Sequence, residues 1–190
     1  MTALINDRFI LLPSHINLTR ERLHYRDLLT YITIRSFNNE NEGICTPTYD
    51  KIVERSGMSR KFISKSIKRL QRSGYLEVTR SSTRRACNQY SLQKVLAFSP
   101  IPHSIFAADD LTANQRAMLI TLRQFFDSIS LELYVGNLAS MAKLLDVSYK
   151  TIYTQYVALV ASGYIEEVFK TYKSRKSRKI IRLSEKLNWK

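Results

Sequence analysis

The sequence is poor in glycine, proline and cysteine, and each shortage excludes a class of protein. Only five Gly and four Pro occur in 190 residues, of which 44% are hydrophobic, so the chain is neither fibrous nor disordered in composition. The two cysteines, Cys45 and Cys87, lack metal-ligand spacing, which favours free thiols in a reducing compartment. No apolar run approaches the roughly eighteen residues of a membrane span, and the N-terminal sequence lacks the basic n-region of a signal peptide. We therefore expect a globular, cytoplasmic protein without a membrane partner.

Acidic residues are also scarce. The chain has 16 Asp and Glu against 30 Lys and Arg, a formal net charge of +14. Such an imbalance favours a polyanionic partner, with nucleic acid ahead of an anionic membrane surface. Double-stranded DNA is the expected partner, and a nucleoid-associated location follows from it.

The residue patterns of known catalytic and metal sites are missing. His15, His24 and His103 are distant in sequence from the cysteines and from one another, and no phosphate-binding loop motif occurs. No carboxylate cluster suggests a nuclease metal pair, and no nucleophile motif is found. We expect a protein that is not an enzyme, with no cofactor and no metal.

Two segments share one pattern. Residues 44–77 and 133–166 align without gaps at an offset of 89, with eight identities in thirty-four positions. The identical pairs are Ser59/Ser148, Lys61/Lys150, Ile63/Ile152, Leu70/Leu159, Ser73/Ser162, Gly74/Gly163, Tyr75/Tyr164 and Glu77/Glu166. This period is too long for a solenoid, so we predict two copies of one small domain, residues 1–97 and 98–190. Eight identities can also arise from a common fold without shared ancestry.

Helix and turn signals give the order of elements in each copy. The first copy has apolar residues at helical spacing over about 19–36, a second predicted helix over 48–55, and Gly57 in the following turn. Ser59 is a predicted N-cap, Gly74 ends the third helix, and two strands follow. In the second copy, Thr112 and Gln115 form a predicted capping box. The order helix, short strand, helix, turn, helix, hairpin is that of a winged helix-turn-helix, in a mainly α fold with small β-hairpins (α+β).

The stretch "ICTPTYDKIVERSGMSRKFISKSIKRLQRSGYLEV" resembles the winged helix-turn-helix modules of bacterial, phage and plasmid regulators and replication proteins. The similarity covers about residues 18–92 and, more weakly, 111–183. It implies DNA binding, with recognition helices at about 59–73 and 148–162 and wings at about 78–90 and 168–182. Fold similarity alone carries that implication no further.

The first recognition helix is predicted to be apolar on one side and cationic on the other. With Ile63, Ile67 and Leu70 inward, the opposite side carries the basic residues. In a major groove the start of such a helix lies deepest, so the candidates for base edges are Arg60, Lys61, Ser64 and Lys65. The candidates for phosphates are Lys68, Arg69 and Arg72 on the helix and Arg80, Arg84 and Arg85 on the wing.

The second recognition helix departs from this pattern. Tyr149, Lys150, Tyr153 and Thr154 are candidates for base contacts through hydroxyls and thymine methyls. Equally, Val157, Val160 and Ala161 predict an apolar outer surface for a homodimer or protein partner. The second wing holds further phosphate candidates, Lys173, Arg175, Lys176, Arg178 and Lys179. The apolar connection is predicted to pack between the copies through Val95, Leu96, Phe98, Ile101, Ile105 and Phe106.

Three functions remain open from the sequence. The first is a transcriptional regulator that binds a specific DNA sequence through two winged helices. The second is a plasmid or phage replication initiator that binds repeated origin sites. The third is an architectural or interaction protein whose second domain binds protein.

Overall fold

The two halves of the chain have the same order of elements. This computed structural model describes residues 8–14, 16–38, 43–81, 87–94, 96–134, 138–171 and 177–189. The first half contains β1 (Phe9–Pro13), α1 (Leu18–Glu21), α2 (Tyr25–Arg35), β2 (Ile44–Cys45), α3 (Tyr49–Ser56), α4 (Arg60–Arg72), β3 (Leu76–Thr79) and β4 (Gln89–Leu92). The second half contains β5 (Phe98–Pro102), a 3-10 helix (His103–Ala107), α5 (Ala113–Arg123), β6 (Glu132–Tyr134), α6 (Leu138–Leu144), α7 (Tyr149–Ala161), β7 (Ile165–Thr171) and β8 (Ser177–Leu183). The predicted mixture of helix and strand is confirmed.

Most predicted helix ends are confirmed because their capping residues are present. The Ser59 hydroxyl accepts the Phe62 N–H at the start of α4, as predicted. Thr48, predicted as the first residue of the second helix, is instead the N-cap of α3. Gly57 and Gly74 have φ angles of 69° and 76°, in the left-handed region where glycine carries no Cβ penalty. The turn between α3 and α4 is therefore fixed by local sequence.

The predicted first helix over 19–36 is wrong in its start. Arg22 adopts a left-handed conformation, φ 54°, and ends α1. The chain then starts α2 with a capping box in which His24 Nδ1 accepts the Arg26 N–H at 3.2 Å and the Asp27 carboxylate accepts the His24 N–H at 2.8 Å. The predicted capping box of Thr112 and Gln115 is confirmed at the start of α5.

Each half forms a small antiparallel sheet beside its last helix. The strand order is β2-β4-β3 in the first half and β6-β8-β7 in the second. Residues 82–86, between β3 and β4, and residues 172–176, between β7 and β8, lie outside the described residues. The described hairpin of the second half is longer, with seven-residue strands against four.

The two halves share one core. Strands β1 and β5 pair with each other, α2 packs against α5, and the buried residues of both halves form one cluster. The buried Thr121 hydroxyl donates to the Tyr25 carbonyl across this contact at 3.1 Å. Burial of Ile101 and Ile105 is confirmed, whereas the prediction for Leu96 is wrong because its side chain is fully exposed.

Two further predictions about the connection have different outcomes. Phe98 is 47% exposed, so its predicted burial is wrong, and Phe106 is half-buried against the core. Val95 lies outside the described residues. None of the helices in the described ranges is both long enough and apolar enough to cross a bilayer.

Candidate nucleic-acid interface

Helix α4 has a cationic outer face. Its inner face is fixed by Ile63, Ile67 and Leu70, which are at most 3% exposed. The opposite side carries the exposed residues Lys61, Lys65, Lys68 and Arg72. Within the described chain, these four side chains have no carboxylate at ion-pair distance. We call these four residues the α4 cationic face.

Two more predicted base contacts lie at the start of α4. Arg60 pairs with Asp50, and both side chains are largely exposed, at 61% and 82%. Exposed pairs of this kind contribute only about 0–1 kcal/mol, so the pair leaves Arg60 free to change partner. Ser64 is half-buried on the flank of the helix. Both residues border the α4 cationic face.

Arg69, a predicted phosphate contact, is instead partly buried and paired within the protein. Its Nε and Nη2 donate to the two carboxylate oxygens of Asp27, each at 2.6 Å. The Asp27 side chain is completely buried and that of Arg69 is 20% exposed. Because Asp27 also accepts the His24 N–H, one buried carboxylate receives three donors and attaches α4 to the start of α2. Arg69 therefore holds α4 to α2 and is not proposed as a DNA contact.

Arg26 and Asn114 were missed by the sequence analysis. Arg26 lies over the Phe62 ring, with its Cζ 4.3 Å from the ring centroid, and its Nη1 lies 3.5 Å from Asn114 Oδ1. They are the second residues of α2 and α5. The only sequence signal for them is their place one residue after the first helical position, which becomes visible once His24 and Thr112 are recognised as N-caps.

Two crevices open at the starts of α4 and α7, and both are lined by Arg26 and Asn114. The α4 crevice, about 360 Å³, is also lined by Ser59 and Phe62. The α7 crevice, about 550 Å³, lies between the starts of α2 and α7. Its lining residues include His24, Arg26, Asn114, Ser148, Lys150, Thr151, Thr154 and Gln155.

The His24 imidazole at the edge of the α7 crevice is kept neutral. Burial first, and then the nearby Arg26 charge, lower its pKa. A neutral ring matches its role, since Nδ1 has to accept the Arg26 N–H to cap α2. His24 is therefore a helix cap and not a source of positive charge.

Helix α7 has an aromatic and apolar outer face in place of the cations. Tyr149, Tyr153 and Val157 are 55%, 50% and 45% exposed, and the two tyrosine rings stack with centroids 6.0 Å apart. We call these three residues the α7 aromatic face. Lys150 and Thr154 are exposed beside it.

The predicted apolar outer surface of Val157, Val160 and Ala161 is only partly present. Val157 and Ala161 are exposed, but Val160 is partly buried against the core. The apolar surface is therefore centred nearer the start of α7 than the sequence indicated.

The predicted wing cations have different surroundings where the structure describes them. Arg80 is exposed after β3, and the Arg178 guanidinium lies 5.5 Å from the Tyr134 ring. Lys179 forms an ion pair with Glu167. The predicted contacts Arg84, Arg85, Lys173, Arg175 and Lys176 lie outside the described residues.

Ion pairs compensate basic residues of the β6-β8-β7 sheet. Hydrogen bonds from Lys179 and then Tyr156 lower the pKa of Glu167. Hydrogen bonds from Lys170 and then Arg182 lower the pKa of Glu132. Three cations of this sheet are thus balanced internally, unlike the α4 cationic face.

In the described ranges, no group of three or more His, Cys, Asp and Glu side chains is arranged to hold a metal ion.

Comparison with known protein families finds a match in the first half of the chain. None of the curated proteins matches the chain. Residues 21–76, from the end of α1 to the start of β3, match the model of a helix-turn-helix domain family. The first half therefore contains a helix-turn-helix domain, the kind of domain that places a helix in DNA.

Proposed function

We propose that this protein is a transcriptional regulator that binds a specific double-stranded DNA sequence through two winged helix-turn-helix domains. The domains are residues 1–97 and 98–190, and their recognition helices are α4 and α7. The function is binding without an enzymatic step. The observation that carries the proposal is the α4 cationic face on the last helix of the matched helix-turn-helix.

The charge of this face supports DNA as the partner. Four neighbouring cations, with no carboxylate partner in the part of the chain that the structure describes, repel one another, and a polyanion removes that repulsion. In a major groove, Arg60, Lys61, Ser64 and Lys65 read base edges, since the start of the helix lies deepest. Lys68 and Arg72, farther along α4, contact phosphates.

The second domain contributes a different surface to the same complex. Tyr149, Tyr153 and Thr154 reach base edges through hydroxyl groups and pack against thymine methyls, while Lys150 supplies one charge. The basic wing residues add phosphate contacts, among them Arg80 of the first domain and Arg178 of the second. Lys179 contributes less, because Glu167 already neutralises it.

A second candidate function is favoured by the α7 aromatic face. Three exposed apolar and aromatic side chains in one stripe also suit a protein partner. In that case α4 holds the DNA and α7 recruits the partner. Substitution of Tyr149 and Tyr153 by Ala distinguishes the two functions. If α7 contacts DNA, the variant binds DNA more weakly than the wild type in the absence of other proteins. If α7 contacts a protein partner, its affinity for DNA is unchanged.

The proposal is tested by exchanging one lysine at a time. We expect Lys65→Ala to weaken binding to a fluorescent duplex at least about fivefold, the equivalent of about 1 kcal/mol for one base or phosphate contact. Lys94→Ala removes an exposed charge outside α4 and is the matched control, with little expected change. Equal effects of the two substitutions would show that only the overall charge matters and would contradict the proposal.

Regulation is distinguished from replication initiation by mapping occupied sites across the genome. A regulator occupies sites upstream of genes, and deletion of the protein changes their transcripts. Clustered sites at a replication origin, without transcript changes, would instead support an initiator.

A further inference from the structure

The pairing of β1 with β5 is symmetric. Leu11 pairs with Pro100, and the pairs on either side are Ile10 with Ile101 and Leu12 with Ser99. Leu11 and Pro100 are equivalent positions at the sequence offset of 89. An antiparallel pair centred on two equivalent residues has a local twofold axis between them, which exchanges the two halves.

A second contact lies on the same axis. Arg26 Nη1 lies 3.5 Å from Asn114 Oδ1, and each residue is the second of its helix, α2 or α5. When two halves are related by a twofold axis, a residue touches its own equivalent only close to that axis. The axis therefore passes between Leu11 and Pro100 and between Arg26 and Asn114.

Both recognition helices start beside this axis. The α4 crevice and the α7 crevice share Arg26 and Asn114 as lining residues, with Ser59 and Ser148 as the two N-caps. A twofold rotation keeps positions at the same height along its axis. Helices α4 and α7 thus start at the same height along the axis, with their chain directions related by the rotation.

The helix packing limits how far apart the two helices lie. Helix α4 packs on α2, α2 on α5, and α5 on α7. The axes of packed helices lie about 8–10 Å apart at their point of contact. Three successive contacts therefore place the axes of α4 and α7 at most about 30 Å apart. One turn of B-DNA is about 34 Å. The two helices can therefore enter major grooves about one turn apart, or slightly less, on one face of a duplex.

We propose that one chain binds one inverted repeat, with the local twofold axis of the protein on the dyad of the DNA. This inference rests on the proposed function. A duplex has twofold axes perpendicular to its length, and a twofold-related pair of helices meets the same groups only in inverted half-sites. Directly repeated half-sites are related by translation along the duplex, which does not match the rotation that relates α4 to α7.

The two half-sites differ in base composition because the two helices differ. The α4 cationic face pairs with guanine O6 and N7, whereas the α7 aromatic face packs against thymine methyls. The DNA site is thus an imperfect palindrome with one G-containing and one T-rich half, and a single chain occupies it in one orientation.

The test is selection from a duplex library with thirty random base pairs, using the full chain at near-physiological salt. We expect a motif of two inverted half-sites with centres about one helical turn apart. A motif of two direct repeats, or of a single half-site, would overturn the inverted arrangement while leaving the proposed function intact. Failure to enrich any sequence over non-specific binding would instead contradict the proposed function.

The selected site then allows a direct check of orientation. Reversing the T-rich half in place keeps its base composition but presents wrong bases to α7, and each wrong base pair costs roughly 5- to 150-fold in affinity. When the selection is repeated, the double variant Lys61→Ala and Lys65→Ala should lose base preference only in the G-containing half. The double variant Tyr153→Ala and Thr154→Ala should lose it only in the T-rich half. Unchanged affinity after reversal, or loss in the wrong half, would overturn the proposal.

Discussion

Helices α4 and α7 have the same interior and different exteriors. Ser59 and Ser148 cap them in the same way, and Ile63 and Ile152 are completely buried at equivalent positions. The outward positions are cations on α4, without an ion pair among the described residues, and tyrosines with Val157 on α7. Residues that point into the core are thus kept for packing, while the outer faces are free to differ, and the difference in function lies on those faces.

The attachment of the two helices also differs. In the first half, the buried pair of Asp27 and Arg69 connects α2 to α4. The matching positions in the second half are Gln115 and Ala158, and Gln115 makes only the capping box with Thr112. Both members of the pair are replaced together, so the second half carries neither charge at these two positions.

The largest expected effect comes from breaking the Asp27–Arg69 pair of the first half. Asp27→Ala leaves the Arg69 guanidinium in the interior without its partner and removes a helix cap. We expect a loss of about 3–5 kcal/mol in the free energy of unfolding, measured by urea denaturation. Asp50→Ala, at the exposed partner of Arg60, is the control and should cost about 0–1 kcal/mol. Similar losses for both variants would refute a structural role for Arg69.

A second experiment compares the two outer faces on DNA. Replacing Lys61 and Lys65 by Ala should lower affinity for the selected site and also flatten its salt dependence, because charges are removed. Replacing Tyr149 and Tyr153 by Ala should lower affinity at an unchanged salt slope, because stacking and methyl contacts release no counterions. Both are measured by anisotropy titrations across a salt series. A flattened slope for the tyrosine variant would show that the two faces do not differ as described.

The comparison can also be reversed by giving α7 the charges of α4. Thr154 and Val157 are exposed and lie at the positions of Lys65 and Lys68. Thr154→Lys with Val157→Lys should strengthen non-specific DNA binding and steepen the salt slope by up to about 2. The variant should unfold at the wild-type urea concentration. An unchanged slope would place this face away from DNA and favour the protein-partner alternative.

The smallest expected effect concerns the ion pairs of the β6-β8-β7 sheet. The pKa of Glu132 is lowered by Lys170 and then Arg182, so its ionised form stabilises the fold. That stabilisation is complete above the ordinary glutamate pKa and is lost as the pH falls through the lowered value of the folded state. Glu132→Gln should therefore flatten the acid side of the curve of stability against pH. Glu185→Gln, at an exposed position, is the control, and a curve identical to wild type would contradict this role.

The sequence predicted those parts of the fold that local chemistry determines. Ser59 and Thr112 are recognisable caps, and Gly57 and Gly74 mark turns that need a left-handed residue. The start of α2 was not predictable in the same way, because a histidine cap is rare and Arg22 interrupts a helical pattern with no glycine or proline.

The remaining errors come from contacts between distant segments. The partner of Arg69 lies 42 residues away, and no pattern on α4 distinguishes it from Lys68. Leu96 and Val160 differ from expectation because their burial depends on tertiary packing, which helical spacing does not determine. Arg26 and Asn114 meet across an 88-residue separation, which only the structure reveals.

The measurement that decides the account is the salt slope of the α4 cationic face. Affinity for a mixed-sequence duplex is determined between 50 and 200 mM salt for the wild type and for a variant with Lys61, Lys65, Lys68 and Arg72 all replaced by Ala. If each of the four side chains neutralises one phosphate charge, the variant's slope of log affinity against log salt should be shallower than that of the wild type by up to about 3.6. Equal slopes for a folded variant and the wild type would contradict DNA binding through α4.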